Sequence, residues 1–366
     1  MGVRDAGATR RFFRFKLLTG GIAMFSLAAM CAAAVTISET GSTLIYPLFQ
    51  TWVAAYAKVD PSLQITTGAT GSGAGIAGAI AGHVQIGTSD AYMEDMQAMR
   101  NPHILNIPLA ISAQTVDVNF PGMQGATLKL SGPVLADIYS GKIRDWDAAP
   151  IAAMNREVQL PHHAIVPVRR AEASGDTFIF TQFLTFTTQT TEGDTKAWGD
   201  TIAYGTTVQW PSVSGSLTAT SNDGMVQTIA RTPYAVGYVG ASFEDAAKQA
   251  GLITAMLQNQ SGNFLLPNAE TVTAAAAELT PRTPPDERLT LVFAPGANSY
   301  PLINYEYAMV SDKQPNPQVA AAISKFLLWC ISPDGGSAPS FLDSVHFIAL
   351  PTSIRARSEI QIAKIQ

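Results

Sequence analysis

An α/β fold is what this 366-residue sequence predicts, and three observations predict it. Short apolar runs of strand length alternate with runs of helical spacing. Turns rich in glycine and hydroxyl residues recur where such runs change over: before Leu48, before Ile76, around Asp90 and before Phe178. The composition is 47% hydrophobic and only 14% charged, which suits a folded, lightly charged chain long enough for two domains with real cores.

The elements follow in order. Glu39-Thr40-Gly41-Ser42-Thr43 forms a glycine turn with hydroxyls, leading into a helix from Leu48 to Tyr56 with Trp52 and Tyr56 on one stripe. Pro47 fits its first turn. Leu63 to Thr67 alternates as a strand, and the run Gly68-Ala69-Thr70-Gly71-Ser72-Gly73-Ala74-Gly75-Ile76 opens a small-residue helix that continues through Ala77 to Ala81. Glycines there permit tight turns and close backbone approach to a ligand. Val84 to Asp90 is a short strand ending in a polar turn, where Asp90 either caps the next helix or accepts from a proton-bearing ligand. Pro108 to Val118 is an apolar strand. A helix containing Leu135, Ile138 and Tyr139 stops at Gly141, and Trp146 packs the next turn.

Ala164 to Val168 is a strand and Phe178 to Phe186 a helix. Between them lies Arg169-Arg170-Ala171-Glu172-Ala173-Ser174-Gly175-Asp176-Thr177. A strand thus delivers an arginine, a hydroxyl and a glycine to a helix start, whose free N–H groups attract anions. Arg170 offers a planar fork of donors. A capped helix with a surface salt bridge explains the same residues, with Ser174 or Thr177 as the cap. Thr187 to Thr206 is polar. Asn222-Asp223-Gly224 starts a helix through Ala230, Ala235 to Val239 is a strand, and Thr271 to Leu279 is an alanine-rich helix. Pro281 to Pro285 suits neither regular element. Tyr305 to Val310 is a strand, Val319 to Trp329 a helix, and Glu359 to Ile362 a frayed helix. In open α/β sheets ligands sit at strand carboxyl ends, which is where the glycine and hydroxyl turns fall.

The first residues read as an export signal. A basic segment, Arg10 to Lys16, precedes an apolar run, Leu17 to Ala34, that ends in small residues. A membrane anchor is the alternative, but the run is short for one. Thr9-Arg10-Arg11-Phe12-Phe13-Arg14 loosely resembles a twin-arginine export motif. Met30 is too bulky for a usual lipobox, which argues against lipidation at Cys31. The formal charge is −5. Taking away Arg4, Arg10, Arg11, Arg14, Lys16 and Asp5 leaves 18 basic and 27 acidic residues, or −9, with no basic block. Nucleic acid is not expected as a partner. Cys330 is then the only cysteine left, which leaves no intrachain disulfide, and its apolar surroundings predict a buried small hydrophobe.

Taken together, the motifs resemble those of the periplasmic phosphate-binding proteins of ABC phosphate importers, the PstS family, from about Thr40 to Pro351. They are Gly41-Ser42-Thr43, Gly71-Ser72-Gly73-Ala74-Gly75, Ile86-Gly87-Thr88-Ser89-Asp90-Ala91, Asp137-Ile138-Tyr139-Ser140-Gly141-Lys142-Ile143, Arg169-Arg170-x-Glu172-x-Ser174-Gly175 and Asn222-Asp223-Gly224. The resemblance implies a type II periplasmic binding protein fold, two α/β lobes with a ligand cleft between them. It implies an export signal over 1–36, a first lobe from 37–112 with 291–366, and a second from 113–290. The implied function is capture of inorganic phosphate in the periplasm and delivery to a membrane permease driven by an ATPase, by a monomer without a cofactor.

The resemblance also assigns the site. Thr43, Ser72 and Ser174 donate through hydroxyls, and Leu44, Gly175 and Asp176 through backbone N–H groups. Arg170 pairs with phosphate, Glu172 orients Arg170, and Asp90 accepts from the protonated ligand. Sulfate carries no proton and would face Asp90 acceptor to acceptor, at a cost of several kcal/mol. Arsenate passes the same test. Asp176 stands where many members have threonine, and its carboxylate either prefers a second ligand proton or turns away. Two other functions compete. A phosphatase-like enzyme needs a base for Ser174 or metals, and His83, His103, His162, His163 and His346 form no metal spacing. A sensor or carrier of another oxyanion would keep the cleft and change the ligand.

Overall fold

The computed structural model describes residues 34–188 and 197–366. The strands are β1 (Val35–Gly41), β2 (Leu63–Thr66), β3 (Ile86–Ser89), β4 (Ile104–Val118), β5 (Lys129–Leu130), β6 (Val166–Arg170), β7 (Leu217–Ala219), β8 (Ala235–Gly240), β9 (Ile253–Thr254), β10 (Met256–Gln258), β11 (Phe264–Leu265) and β12 (Ile303–Ser311). One sheet runs β2-β1-β3-β12-β4-β8-β6-β7, with β9 paired to β4, and a small sheet runs β11-β10-β5.

β4 holds the large sheet together. Its Ile104–Ala113 part pairs antiparallel with β12, and its Gln114–Val118 part pairs antiparallel with β8. All but one of its residues are buried, so it shows no in-and-out alternation, and its polar side chains Asn106, Ser112, Gln114, Thr115 and Asp117 are buried with the rest. On one side β1, β2 and β3 are parallel. On the other, β6 is parallel to both β7 and β8. Each parallel group is a set of β–helix–β units, and each points its carboxyl ends at a turn followed by a helix. The two groups form two α/β lobes.

Helices cover the sheet with the faces their spacing foretells. Tyr46–Tyr56 buries Leu48, Phe49, Trp52 and Tyr56, with Pro47 in its first turn. The Trp52 indole N–H donates to the Gly336 carbonyl at 2.8 Å. Phe49 and Tyr56 meet Phe326 edge-on, which ties this helix to Pro317–Cys330. Cys330 is free and buried there. Gly41 has a φ of 150°, and a Cβ on it would lie 1.9 Å from the Thr88 carbonyl oxygen, so only glycine lets β1 and β3 close up at this turn.

Several elements differ from the sequence expectation. Strand β1, Val35–Gly41, begins two residues inside segment 1–36. Residues 1–33, with Cys31, lie outside the described residues, as do 189–196 of the polar stretch. Among the described residues no helix is long and apolar enough to cross a membrane. The frayed helix expected at Glu359 to Ile362 is the end of a longer one, Thr352–Ile362, because Ile354 and Ile362 anchor it in the core. Asp90 does not cap the next helix, Asp95–Arg100, whose N-cap is Glu94 and has no side-chain cap.

Candidate functional site

The site forms where the carboxyl ends of the two parallel groups meet. β1 delivers Ser42 and Thr43, β2 leads to Ser72, and β3 delivers Asp90. β6 ends on Arg170, and helix Gly175–Thr187 starts five residues later. β7 leads into helix Ser221–Arg231, which supplies Asn222. Ser42, Thr43, Ser72, Asp90, Arg170, Ser174, Asp176 and Asn222 are all buried. Residues from both lobes therefore share one enclosed cluster.

Arg170 is its centre. Nη1 donates to Asp176 Oδ2 at 2.5 Å and Nη2 to Thr43 Oγ1 at 3.1 Å. Nε donates to Glu172 Oε1 at 2.9 Å, and Nη2 reaches the same oxygen. Glu172 also accepts from the Ser221 backbone N–H at 2.8 Å. Burial opposes ionisation of Glu172, but hydrogen bonding to Arg170 and the guanidinium charge outweigh it and hold the carboxyl below its usual range. Burial likewise opposes the Arg170 charge, and Asp176 and Glu172 more than restore it. Glu172 thus bonds the guanidinium through both Nε and Nη2.

Asp176 is fully enclosed by donors. Oδ2 accepts from Arg170 and from Asn222 Nδ2 at 2.8 Å, and Oδ1 accepts from Gln114 Nε2 at 3.0 Å. Asn222 also donates through Nδ2 to Thr43 Oγ1 at 2.9 Å, while its Oδ1 accepts from the Gly240 N–H at 2.7 Å. Tyr238 closes the back, accepting from the Arg170 N–H at 3.1 Å and sharing a 2.7 Å bond with Thr177 Oγ1.

Asp90 has a different set of partners. Ser42 Oγ donates to Oδ1, and Ser72 Oγ donates to Oδ2 at 3.1 Å. Ser42 Oγ accepts in turn from the Leu44 N–H at 3.0 Å and the Ile45 N–H at 3.2 Å. Among the described residues no cation bonds this carboxyl. Burial, with Glu306 and Asp176 as negative neighbours, pushes it well above the ordinary carboxylate range. A Cβ on Gly175 would lie 2.5 Å from both Asp90 Oδ2 and Ser72 Oγ, so glycine at this helix start lets the two lobes approach. The Gly73 N–H donates to the Ala173 carbonyl at 3.0 Å across the same boundary. Ser174 is the helix cap, accepting from the Thr177 N–H at 3.4 Å.

All the residues named from sequence, Thr43, Leu44, Ser72, Asp90, Arg170, Glu172, Ser174, Gly175 and Asp176, fall at this junction. The Leu44 N–H is turned to Ser42, and the other eight border the cluster directly. Sequence reasoning missed Ser42, Gln114, Asn222, Tyr238 and Glu306 as site residues. Ser42 and Asn222 sat inside motifs already singled out. Gln114 and Glu306 lie in strands that carry other polar side chains, Ser112, Asp117 and Asn304 among them, so nothing local marked them.

Chemically, the cluster offers one cation, several hydroxyl and amide donors, and one carboxyl able to carry or accept a proton. That set suits a small oxyanion with a proton. Comparison with known proteins agrees. A PBP superfamily domain model matches residues 29–334. The phosphate-binding protein PstS of Pasteurella multocida is 31% identical over 338 residues, covering 92% of this chain and 93% of that protein. The phosphate-binding protein PstS of Methanocaldococcus jannaschii is also 31% identical, covering 87% and 84%. Among solved structures, a high affinity periplasmic phosphate-binding protein, PfluDING, bound with phosphate, has a TM-score of 0.68 at 20% identity, covering 88% of this chain and 92% of its own. A phosphate-binding protein from Stenotrophomonas maltophilia has a TM-score of 0.65 at 20% identity, covering 89% and 93%. These likenesses give the fold as the type II periplasmic binding protein fold.

Proposed function

Because this chain belongs to the PstS family of phosphate-binding proteins within the PBP superfamily, we propose that it captures inorganic phosphate with high affinity for an ABC importer. Members of this family are carriers and do not catalyse a reaction, and this chain works outside the cytoplasm. The observation that carries the reading is the meeting of Arg170, the Thr43 and Ser72 hydroxyls and Asp90 in one buried cluster between two sets of strand ends.

The lobes divide at about 112/113 and 290/291, with 1–36 as a leader removed on export to the periplasm and no lipid at Cys31. On ligand entry, Arg170 Nη2 and Thr43 Oγ1 exchange their mutual bond for bonds to phosphate oxygens. Ser72 and Ser174 add hydroxyls, and Leu44, Gly175 and Asp176 add backbone N–H groups at helix starts. Asp90 accepts the ligand's proton. Glu172 keeps the guanidinium plane in place. A ligand touching both lobes favours the closed arrangement by its extra contacts there. A separate membrane permease, driven by an ATPase, then receives it.

Asp176 adds a second negative charge near the ligand, so the monobasic form of phosphate is the better guest. Calorimetry with phosphate, sulfate, molybdate and arsenate tests the reading. Phosphate and arsenate should bind and sulfate should not. Phosphate affinity should fall as pH passes the ligand's second ionisation. Tightest binding of sulfate or molybdate would replace this reading with another oxyanion carrier, and rising affinity would remove the role given to Asp176.

A further inference from the structure

Thr43 and Asn222 face each other across the boundary between the two lobes. Thr43 follows β1, and Asn222 is the second residue of helix Ser221–Arg231, which follows β7. Three N–H groups converge on Thr43 Oγ1: Arg170 Nη2 at 3.1 Å, Asn222 Nδ2 at 2.9 Å and the Asn222 backbone N–H at 3.3 Å. A hydroxyl oxygen has two lone pairs and one proton. Its lone pairs are therefore taken up, and among the described residues no acceptor takes its proton.

Asn222 is fixed in the attitude this needs. It is fully buried, and its Oδ1 accepts from the Gly240 N–H at 2.7 Å. That N–H can only donate, so Nδ2 must face the other way. The two Nδ2 protons go to Thr43 Oγ1 and to Asp176 Oδ2, the latter at 2.8 Å. The Asn222 backbone N–H lies in the first helical turn, where it has no partner inside the helix. Ser221, just before it, has a φ of 65°, a left-handed conformation uncommon for serine. Two bonds hold it there: its N–H donates to Glu172 Oε1 at 2.8 Å, and its Oγ accepts from the Gly224 N–H at 3.2 Å. The same side of the boundary grips the residue after Thr43. Ser242 Oγ donates to the Leu44 carbonyl at 2.7 Å, and a Cβ on Gly240 would lie 2.3 Å from Leu44 Cδ1.

We propose that Asn222 is a positioning residue of the anion site, filling the acceptor side of the Thr43 hydroxyl from the opposite lobe so that Thr43 acts toward the ligand as a donor only. The inference rests on the phosphate reading above. When phosphate draws Arg170 Nη2 away from Thr43, both Asn222 donors stay. The hydroxyl then still accepts from the protein, and its proton goes to the anion. The contact spans the two lobes, so closing them is what turns a freely rotating hydroxyl into a fixed donor. An unprotonated oxygen is the better acceptor at that end, which leaves the ligand's proton for Asp90.

The test is calorimetry with inorganic phosphate on wild type, Asn222→Ala, Thr43→Val and the double variant. N222A should bind about tenfold more weakly than wild type. In the T43V background the same change should cost about threefold or less, since no hydroxyl is left to orient. Proton–phosphorus correlation NMR at saturating phosphate reads the hydroxyl itself. Saturation keeps each protein loaded, so a bond that merely holds the lobes together would leave the Thr43 hydroxyl proton correlated with the phosphate phosphorus in N222A. The correlation should be present in wild type and lost in N222A. If N222A does not fold, the Asn222 side-chain amide resonances of loaded wild type and T43V take its place, and one Nδ2 proton should shift when the hydroxyl is removed. Equal losses in the two backgrounds, a correlation unchanged in N222A, or amide resonances that T43V leaves in place would overturn the positioning role while the phosphate reading stands. A wild type that binds no phosphate would instead overturn the reading on which that role rests.

Discussion

The two groups of strand ends that meet at the site treat buried carboxyls in opposite ways. At the end of β3, Asp90 has hydroxyl partners and an acidic neighbour, and it is pushed well above the usual carboxylate range. At the end of β6, Glu172 has Arg170 and is held below that range although burial opposes it. Asp176, deeper still, is bonded to the same guanidinium. Depth alone does not set the charge of a buried acid; the partner does. One side of the site is thus a place for a proton and the other a fixed cation with its counter-ions. A small anion that carries a proton meets the needs of both.

Removing the cation should break this contrast most severely. Arg170→Ala leaves Asp176 and Glu172 without their common partner. Phosphate affinity should fall a hundredfold or more, about 2.7 kcal/mol, in calorimetry, and the melting temperature should drop as well. Undiminished phosphate binding would place the anion elsewhere.

Changing the proton side should have a smaller and more selective effect. Asp90→Asn keeps the size of the side chain and replaces a carboxyl by an amide, which can donate to sulfate. The ratio of phosphate to sulfate affinity should narrow by about tenfold, read from parallel titrations. A ratio that stays put would deny Asp90 its part in selectivity.

The smallest expected effect comes from a carboxyl removed from the anion cluster, and it isolates burial from ligand chemistry. Glu287 is fully buried, accepts from Ser358 Oγ at 3.1 Å, and among the described residues has no donor on Oε2. Burial raises it from 4.5 to about 8. An acid raised in the folded state stabilises the fold while protonated. That stability is complete below the unfolded value and is lost as pH rises through about 8. Glu287→Gln should therefore melt with wild type near pH 5 and above wild type near about pH 9, as scanning calorimetry would record. A constant difference at all pH values would show that burial does not raise this acid against the pull of Arg357 and Lys364.

Much of the site was legible because its parts are local. A glycine turn, a hydroxyl and a helix start are written within a few consecutive residues, as in Gly41-Ser42-Thr43 and Ser174-Gly175-Asp176. These segments state their own geometry through caps, free N–H groups and close approach. The same local logic gave the helices around Trp52 and Phe326, the strand character of β4, and Arg170 at a strand end. It was silent on β5, β10 and β11, which have only two or three residues each and exist because they pair with one another.

What the chain alone determined was the α/β alternation and the set of turns fit to hold an anion, since both depend on neighbours in sequence. What only the tertiary structure decided was which acids carry charge. Ser112 and Glu306 stand 194 residues apart, and Asn222 and Asp176 stand 46 apart. Their meeting depends on sheet order and on a one-residue slip between β12 and β4. A carboxyl's ionisation is fixed by what surrounds it in space, and no local run of residues contains that information.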